Sequence, residues 1–267
     1  MSAPVEPRVL VMRRRYLGDV VLLGALFRNL RLHWPHAHLA ALVEPNYAGV
    51  LDLNPDVNEK WVLPKKMGAW PLFLARLRSA GFTHVFDLDN NDRTAWLSRV
   101  TGAKFRAVVW HEGTQPRWKS LYTHQVYDPP EIHENRSMVE YYLSILAAAN
   151  VPITTRTVRL IPRSSDIEAI SRYLGPTEKI RPAKILIHPG SRSRYRLWPA
   201  ENFAAVSDLL QDKLGANIFL AGGGGERALI EEIKGHAKLH IVSLDGPLPV
   251  SRFAALASQV DLMLCHD

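Results

Sequence analysis

Short, almost purely apolar runs alternate along this chain with longer amphipathic stretches, and that alternation leaves few folds open. Each run reads as a buried strand of a parallel sheet and each stretch as the helix that crosses back over it, which is an α/β fold. RVLVM at 8–12 is the first strand, and residues 20–32 follow as a helical stripe in which Val20, Leu23, Phe27 and Leu30 recur at spacings of three and four. HLAALV at 38–43, THVFDL at 83–88 and FRAVVW at 105–110 are further strands, with a helical stretch around Arg93 to Val100 between the last two. NRSMVEYYLSILAAA at 135–149 reads as a helix, NVPITT breaks it, and VRLIP supplies a short extended piece.

A second series begins after LGPTEKIRPA (174–183), whose Gly, Pro and charges mark a linker and divide the chain into expected domains at 1–175 and 176–267. AKILIH (183–188) is a strand, and 199–215 a helix opened by Pro199 and closed by Gly215. Strands at 216–223 and 239–244 alternate with helices at 226–236 and 250–260, and DLMLCHD ends the chain. Open parallel sheets bind ligands beyond the carboxyl ends of their strands, so the chain stops where a functional loop is due. It therefore reads as a fragment, with the second domain cut short.

Composition narrows the class. The longest apolar run, Val20 to Phe27 with Gly24 inside it, is far short of the ~18 residues that span a bilayer, and the N-terminus MSAPVEPRVLV lacks the pattern of a signal peptide. A single cysteine, Cys265, rules out an internal disulfide, suits a reducing cytoplasm, and reads as a small buried hydrophobe. The net charge of +7 is one-sided: residues 1–163 hold 21 Lys and Arg against 14 Asp and Glu, whereas 164–267 hold 12 of each. Such a balance suits an anionic partner or a merely solvated basic surface.

Three segments carry candidate chemistry. In RRRYLGDVVLLGALF, Gly18 and Asp19 sit between strand and helix, where Asp19 is a helix N-cap or a general base at a strand end, with Gly18 opening the backbone to substrate. The amides of a helix start would lower its pKa. In IHPGSRSRYRLWPAENF (187–203), Gly190 and Ser191 offer amides and a hydroxyl while Arg192, Arg194 and Arg196 offer charge, which suits a phosphate cradle better than a solvated loop. Four glycines at 222–225 allow close approach of a ligand, and Glu226 after them either accepts from ribose hydroxyls or opens the next helix. Asp87, Asp89 and Asn91 imitate a calcium loop, but Asp92 and Ser98 stand where glycine and glutamate are needed. Asp87 and Asp89 as a metal-holding pair would sit far from the cradle. His33, His36 and His38 are irregularly spaced and read as surface, and Trp61, Trp70, Trp96, Trp110 and Trp118 as core or groove, so no metal site is expected.

Taken together, residues 8–61, FDLDNNDRTAWLSRVTGAKFRAV (86–108), ILIHPGSRSRYRLWPAENFAAV (185–206), IFLAGGGGERALI (218–230) and FAALASQVDLMLCHD (253–267) resemble glycosyltransferase family 9, the ADP-heptose:lipopolysaccharide heptosyltransferases. The resemblance implies a GT-B architecture of two Rossmann-like domains, with an acceptor site on the first, a nucleotide-sugar site on the second, and inverting transfer in the cleft without a metal or other cofactor. On that template Asp19 is the general base. Ser191 and Arg196 match hydroxyl and basic positions at the donor diphosphate, Glu226 the residue holding the ribose, and Leu248 a position beside the adenine. Asp267 matches the first residue of the family's Asp, Ser or Thr, Gly, then His pattern. The rest of that pattern is absent, which leaves turnover by the chain as given open.

Arg14 and Arg15 would face acceptor phosphates, and Arg93, Arg99, Lys104 and Arg106 are further expected contacts. The basic half would then meet an anionic, Kdo-bearing phosphorylated lipid A at the inner membrane face, reached from the cytoplasm. Two other readings remain: the same family with another nucleotide sugar or acceptor, and a non-catalytic anion-binding module. Nucleic acid is not an expected partner, because no helix-turn-helix, aromatic ladder or RNA-binding signature is present.

Overall fold

The computed structural model describes residues 6–174, 182–191, 193–244, 246 and 248–266, with Arg194 by its backbone only. It divides into two compact units, Met1–Ile161 and Pro162–Asp267. Six strands of the first unit, β1 (Arg8–Met12), β2 (His38–Val43), β3 (Glu59–Val62), β4 (His84–Asp87), β5 (Phe105–His111) and β6 (His124–Asp128), form one sheet in the order β3-β2-β1-β4-β5-β6. Every pairing in it is parallel. Residues 9–12 of β1 and 39–43 of β2 are wholly buried, as central strands covered on both faces must be, and this is why they read as unbroken apolar runs. Met12 pairs with Asp87, so the carboxyl ends of β1 and β4 lie level.

The helices of this unit are α1 (Leu17–His33), α2 (Trp70–Ser79), α3 (Asp92–Val100), the single turn α4 (Pro130–His133) and α5 (Met138–Ser144). Leu10, Met12, Ala40 and Leu42 pack against Phe73 and Leu77 of α2 and Leu97 of α3, while α1 packs along α5. Beyond α5 the chain turns through a 3-10 segment, Ile145–Ala149, and then runs as a strap that joins neither sheet. Buried Asn29 of α1 ties it down: its Oδ1 accepts the Thr154 and Thr155 amides at 2.6 and 3.1 Å, and its Nδ2 donates to the Thr155 carbonyl at 2.7 Å. A Cβ on Gly24 would come within 2.9 Å of Val158 Cγ1, so the glycine in this helix sets how near the strap lies.

In the second unit β7 (Lys184–His188), β8 (Asn217–Leu220), β9 (Val242–Ser243) and β10 (Leu262–Cys265) form a parallel sheet in the order β10-β7-β8-β9. Its helices are α6 (Ser164–Leu174), α7 (Ala200–Leu214), α8 (Arg227–His236) and α9 (Val250–Ala257). Side chains alternate across the sheet with period two. Ile185, Ile187, Ile218 and Leu220 meet α7 and α8, while Leu186 and Phe219 meet α6 and α9. Gly215 closes α7 in the left-handed region at φ 60°, its amide bonding the Gln211 carbonyl at 2.9 Å.

Several extents differ from those read in the sequence. The division falls before α6 rather than after it, because Ile170 and Leu174 of that helix are buried with Leu186 and Phe219. The strand read at 239–244 contracts to Val242–Ser243, and β3, β6, α2 and α6 were not read at all. Cys265 is exposed, not buried: β10 lies at the sheet edge. Trp96 is also exposed and leans on Trp118 with ring centroids 5.5 Å apart.

Candidate active site

In the first sheet the direction of winding reverses between β1 and β4, and a crevice at the carboxyl ends of strands flanking such a reversal is where open parallel sheets take ligands. Two segments converge there, residues 13–19 after β1 and 88–92 after β4. Asp19 is the third residue of α1 and not its cap: Tyr16 holds the cap position, and its amide donates to Asp19 Oδ2 at 2.8 Å. Asp19 Oδ1 accepts from Arg13 Nη2 at 2.8 Å and from the Tyr142 hydroxyl. The side chain keeps 20% of its surface exposed. Burial pushes the carboxyl up, yet the Tyr142 hydroxyl, the Tyr16 amide and the Arg13 guanidinium outweigh it and hold Asp19 below the ordinary carboxylate range. The group is therefore an ionised carboxylate, fixed in direction and still reachable from solvent. Oδ2 retains acceptor capacity for a proton.

A second set of bonds fixes the arginines. Asp89 Oδ2 accepts from the Arg14 amide at 3.0 Å and from Arg14 Nε at 2.7 Å, while Arg13 Nη1 donates to the Leu88 carbonyl at 2.9 Å. Arg14 Nη1 also reaches Glu44 Oε1 at 3.2 Å. Asp89 is in turn set by Asp87, which is completely buried and accepts the amides of Asp89 and Asn90 at 2.9 and 3.2 Å and the Tyr122 hydroxyl at 2.5 Å. Burial pushes the Asp87 carboxyl up to about 6 despite the Tyr122 bond, with the Asp89 charge adding to the rise. The pair weighed as metal ligands is thus a brace: one carboxylate shapes the turn, and the other holds the guanidinium of Arg14. Tyr142 and Glu44 carry no local motif that marks them as site residues, since their places depend on long-range contacts, and Asp89 shows in the sequence only as one of an acidic pair.

Beside this brace lies an open groove of about 630 Å³ lined by Arg14, Arg15, Glu44, Asn91, Asp92 and Arg93. Three of the expected acceptor cations, Arg14, Arg15 and Arg93, are brought together there. Gly18 is exposed, and a Cβ on it would meet nothing within 4 Å, so internal packing does not require glycine at this point. Arg99 and Arg106 are not at the groove. Arg106 donates to the Leu121 and Ala103 carbonyls at the amino end of β5, and the charge of Arg99 at the end of α3 acts on it there.

In the second unit the winding reverses between β7 and β10. Gly190 and Ser191 follow β7, and the four glycines follow β8. Glu226 takes the cap position of α8 without capping it through its side chain. It lies instead over the strand ends: a Cβ on Gly190 would sit 2.6–2.8 Å from Glu226 side-chain atoms, and Cβ atoms on Gly222 and Gly223 would each come within 2.9 Å. Three glycines thus make room for one carboxylate. Arg196 lines a groove of about 230 Å³ with Trp198, Phe203, Cys265 and His266, and the Trp198 amide donates to His266 Nε2 at 3.3 Å. A second groove, about 460 Å³, is bounded by Gly222, Gly223, Gly224, Arg227 and Ser243. Leu248 packs against the apolar cluster around Phe219 and Leu244. Arg192 and Asp267 lie outside the described residues.

The family model of glycosyltransferase family 9 (heptosyltransferase) matches residues 72–267. The chain belongs to glycosyltransferase family 9. It is 21% identical over 264 residues to lipopolysaccharide heptosyltransferase 3 of Escherichia coli, covering 95% of this chain and 76% of that protein. Among solved structures it is similar to the glycosyl transferase family 9 protein of Veillonella parvula DSM 2008, with a TM-score of 0.83 at 20% identity over 97% of this chain and 75% of that one. The E. coli ADP-heptose lipopolysaccharide heptosyltransferase II gives 0.78 at 18% identity, over 97% and 79%. These likenesses show the fold as GT-B-type, with two Rossmann-like units and parallel sheets. A member of family 9 is a glycosyltransferase, and the anion-binding module without catalysis is set aside.

Proposed function

We propose that this family 9 glycosyltransferase moves heptose from ADP-heptose to an anionic inner-core lipopolysaccharide acceptor, inverting the anomeric centre, with Asp19 as general base. The observation that carries the reading is the state of Asp19: ionised, oriented by Arg13 and Tyr142, still 20% exposed, and in the same segment after β1 as Arg14 and Arg15, which line a groove with Arg93. The acceptor hydroxyl attacks the anomeric carbon from the face opposite the diphosphate. Its proton passes to Asp19 Oδ2, the new C–O bond forms, and the bond to the diphosphate oxygen breaks with its electron pair leaving on ADP. A carboxylate of lowered pKa suffices because the hydroxyl becomes strongly acidic only as the new bond forms.

On the donor side, Arg196 with the Ser191 hydroxyl and the amides at Gly190 meets the charge that grows on the diphosphate, so these groups favour the transition state over the ground state. Glu226, seated over the strand ends, takes the ribose hydroxyls. The cation at Arg196 belongs to the chain itself, and the reading needs no metal. The names of the relatives support ADP-heptose and lipopolysaccharide as donor and acceptor class. No described helix is long and apolar enough to cross a membrane. Access to an inner-membrane glycolipid from the cytoplasmic side is part of the proposal.

The test offers the protein a Kdo-bearing phosphorylated lipid A with ADP-heptose, UDP-sugars and GDP-sugars in turn, with and without EDTA. Transfer from ADP-heptose alone, with inverted product and no effect of EDTA, is expected. Transfer from a UDP- or GDP-sugar, retained configuration, or dependence on a divalent ion overturns the corresponding part.

A further inference from the structure

From Lys60 to Phe86 the chain carries five cations, Lys60, Lys65, Lys66, Arg76 and Arg78, and no Asp or Glu. The same segment holds two of the most exposed large apolar side chains among the described residues, Met67 at 83% and Leu72 at 68%. Phe73 and Leu77 give the inner face of α2 to the core, which turns Leu72 and Arg76, four residues apart, outward. Residues 65–69 just before the helix are exposed throughout. Lys60 is paired with Asp52 at 2.6 Å, whereas Lys65, Lys66 and Arg76 have no acidic partner among the described residues.

Apolar side chains held out in water within a cationic field are costly for a surface with no partner. An anionic bilayer suits both features, since the apolar side chains enter the headgroup boundary while the cations meet lipid phosphates. The patch also adjoins the groove already described: Arg93 lines that groove, and its guanidinium lies over the ring of Trp70, the first residue of α2, at 5.8 Å. We propose that Lys65, Lys66, Met67, Leu72 and Arg76 form the surface by which the protein lies on an anionic lipid bilayer, with the acceptor groove at its margin. The inference deepens the transferase reading, on which it rests for the purpose of the contact, by naming how a lipid-borne acceptor is met. The binding itself does not depend on catalysis.

Flotation with vesicles of phosphatidylglycerol and phosphatidylcholine, against phosphatidylcholine alone, tests it. The protein is expected to float with the anionic vesicles only, and less so as salt rises. The paired variants Lys65→Glu with Lys66→Glu and Met67→Ser with Leu72→Ser should each lower partitioning at least about tenfold, while Lys213→Glu in the second unit leaves it unchanged. All four altered positions are exposed, and matching melting curves confirm an intact fold. No binding to anionic vesicles, equal binding to neutral ones, or equal binding by the variants overturns the proposal. So does concentration-dependent self-association that the apolar pair abolishes without any vesicle binding, which would assign the patch to a second copy. Both paired variants should transfer normally to a deacylated acceptor and slowly to the vesicle-borne one. Absence of transfer by the unaltered protein to either acceptor would refute the transferase reading while leaving the flotation result standing.

Discussion

The Tyr142 hydroxyl donates to Asp19 Oδ1 across 123 positions of the sequence. Tyr142 is wholly buried on α5, which packs along α1, so the carboxylate is held by the fold of the unit and not only by its own helix turn. Arg13 stacks over the same ring at 5.4 Å while donating to the same oxygen. Together with the Tyr16 amide on Oδ2, these contacts fix the carboxylate and keep it unprotonated.

Replacing Tyr142 by Phe removes one of the donors that lower the Asp19 pKa, and the burial that opposes them remains. The pKa of Asp19 therefore rises. The acidic limb of the kcat/KM profile, which reports the base in the free enzyme, should move to higher pH, with a loss of about tenfold or less on the plateau. A profile carried below the ordinary carboxylate range, from about pH 2.5 to 9, checks this. A uniform loss with an unmoved limb would mean that Tyr142 only supports the fold.

Asp87 makes a stability prediction of the opposite sign. Its folded pKa of about 6 lies above the value of about 4 expected in the unfolded chain, so folding takes up a proton between those values. Its contribution to stability falls as pH rises through that window, and above it the ionised group costs about 3 kcal/mol. Asp87→Asn, which keeps an oxygen for the Asp89 and Asn90 amides, should gain on the unaltered protein by about that amount between pH 4 and pH 7.5 in denaturant unfolding. A difference that does not change with pH would contradict the buried, raised carboxyl.

Gly190→Ala tests the seat of Glu226. The new Cβ would overlap the Glu226 side chain, whose end is able to swing away, so the fold should persist while the carboxylate is displaced. KM for the nucleotide sugar is expected to rise about tenfold, the order of one hydrogen bond to a charged group, with kcat changed less. Gly235→Ala, in α8 and away from the strand ends, where a Cβ meets nothing within 4 Å, is the control. Equal donor KM in both variants would remove Glu226 from the donor site.

What the sequence disclosed follows the physics of each element. β1, β2 and β7 were legible because strands covered on both faces must be apolar throughout. HQVYD of β6 has a single buried residue, and EKWV of β3 also has one, so neither stood out. The amphipathic α6 starts among charged and polar residues and ends where the linker begins, and only its packing on Leu186 and Phe219 assigns it to the second unit. Gly18, Asp19, Gly190 and Glu226 were noticed because a small residue or a carboxylate at a strand–helix turn is a local signal. Tyr142 gives none, and the acidic pair at Asp87 and Asp89 suggests a metal rather than a hold on Arg14, since both roles arise from where α5 and the turn after β4 meet the residues that follow β1. Arg99 and Arg106 fall away from the groove because charge shows in a sequence, but the end of the sheet it occupies does not.

The central claim is that Asp19 removes the acceptor proton. Its most direct test is the single-turnover rate of sugar transfer by Asp19→Asn, measured beside the affinity for ADP. A fall of about a thousandfold or more with ADP affinity and melting temperature kept is the expected result. Transfer within about fivefold of the unaltered protein would contradict it, because a general base contributes at least about a hundredfold.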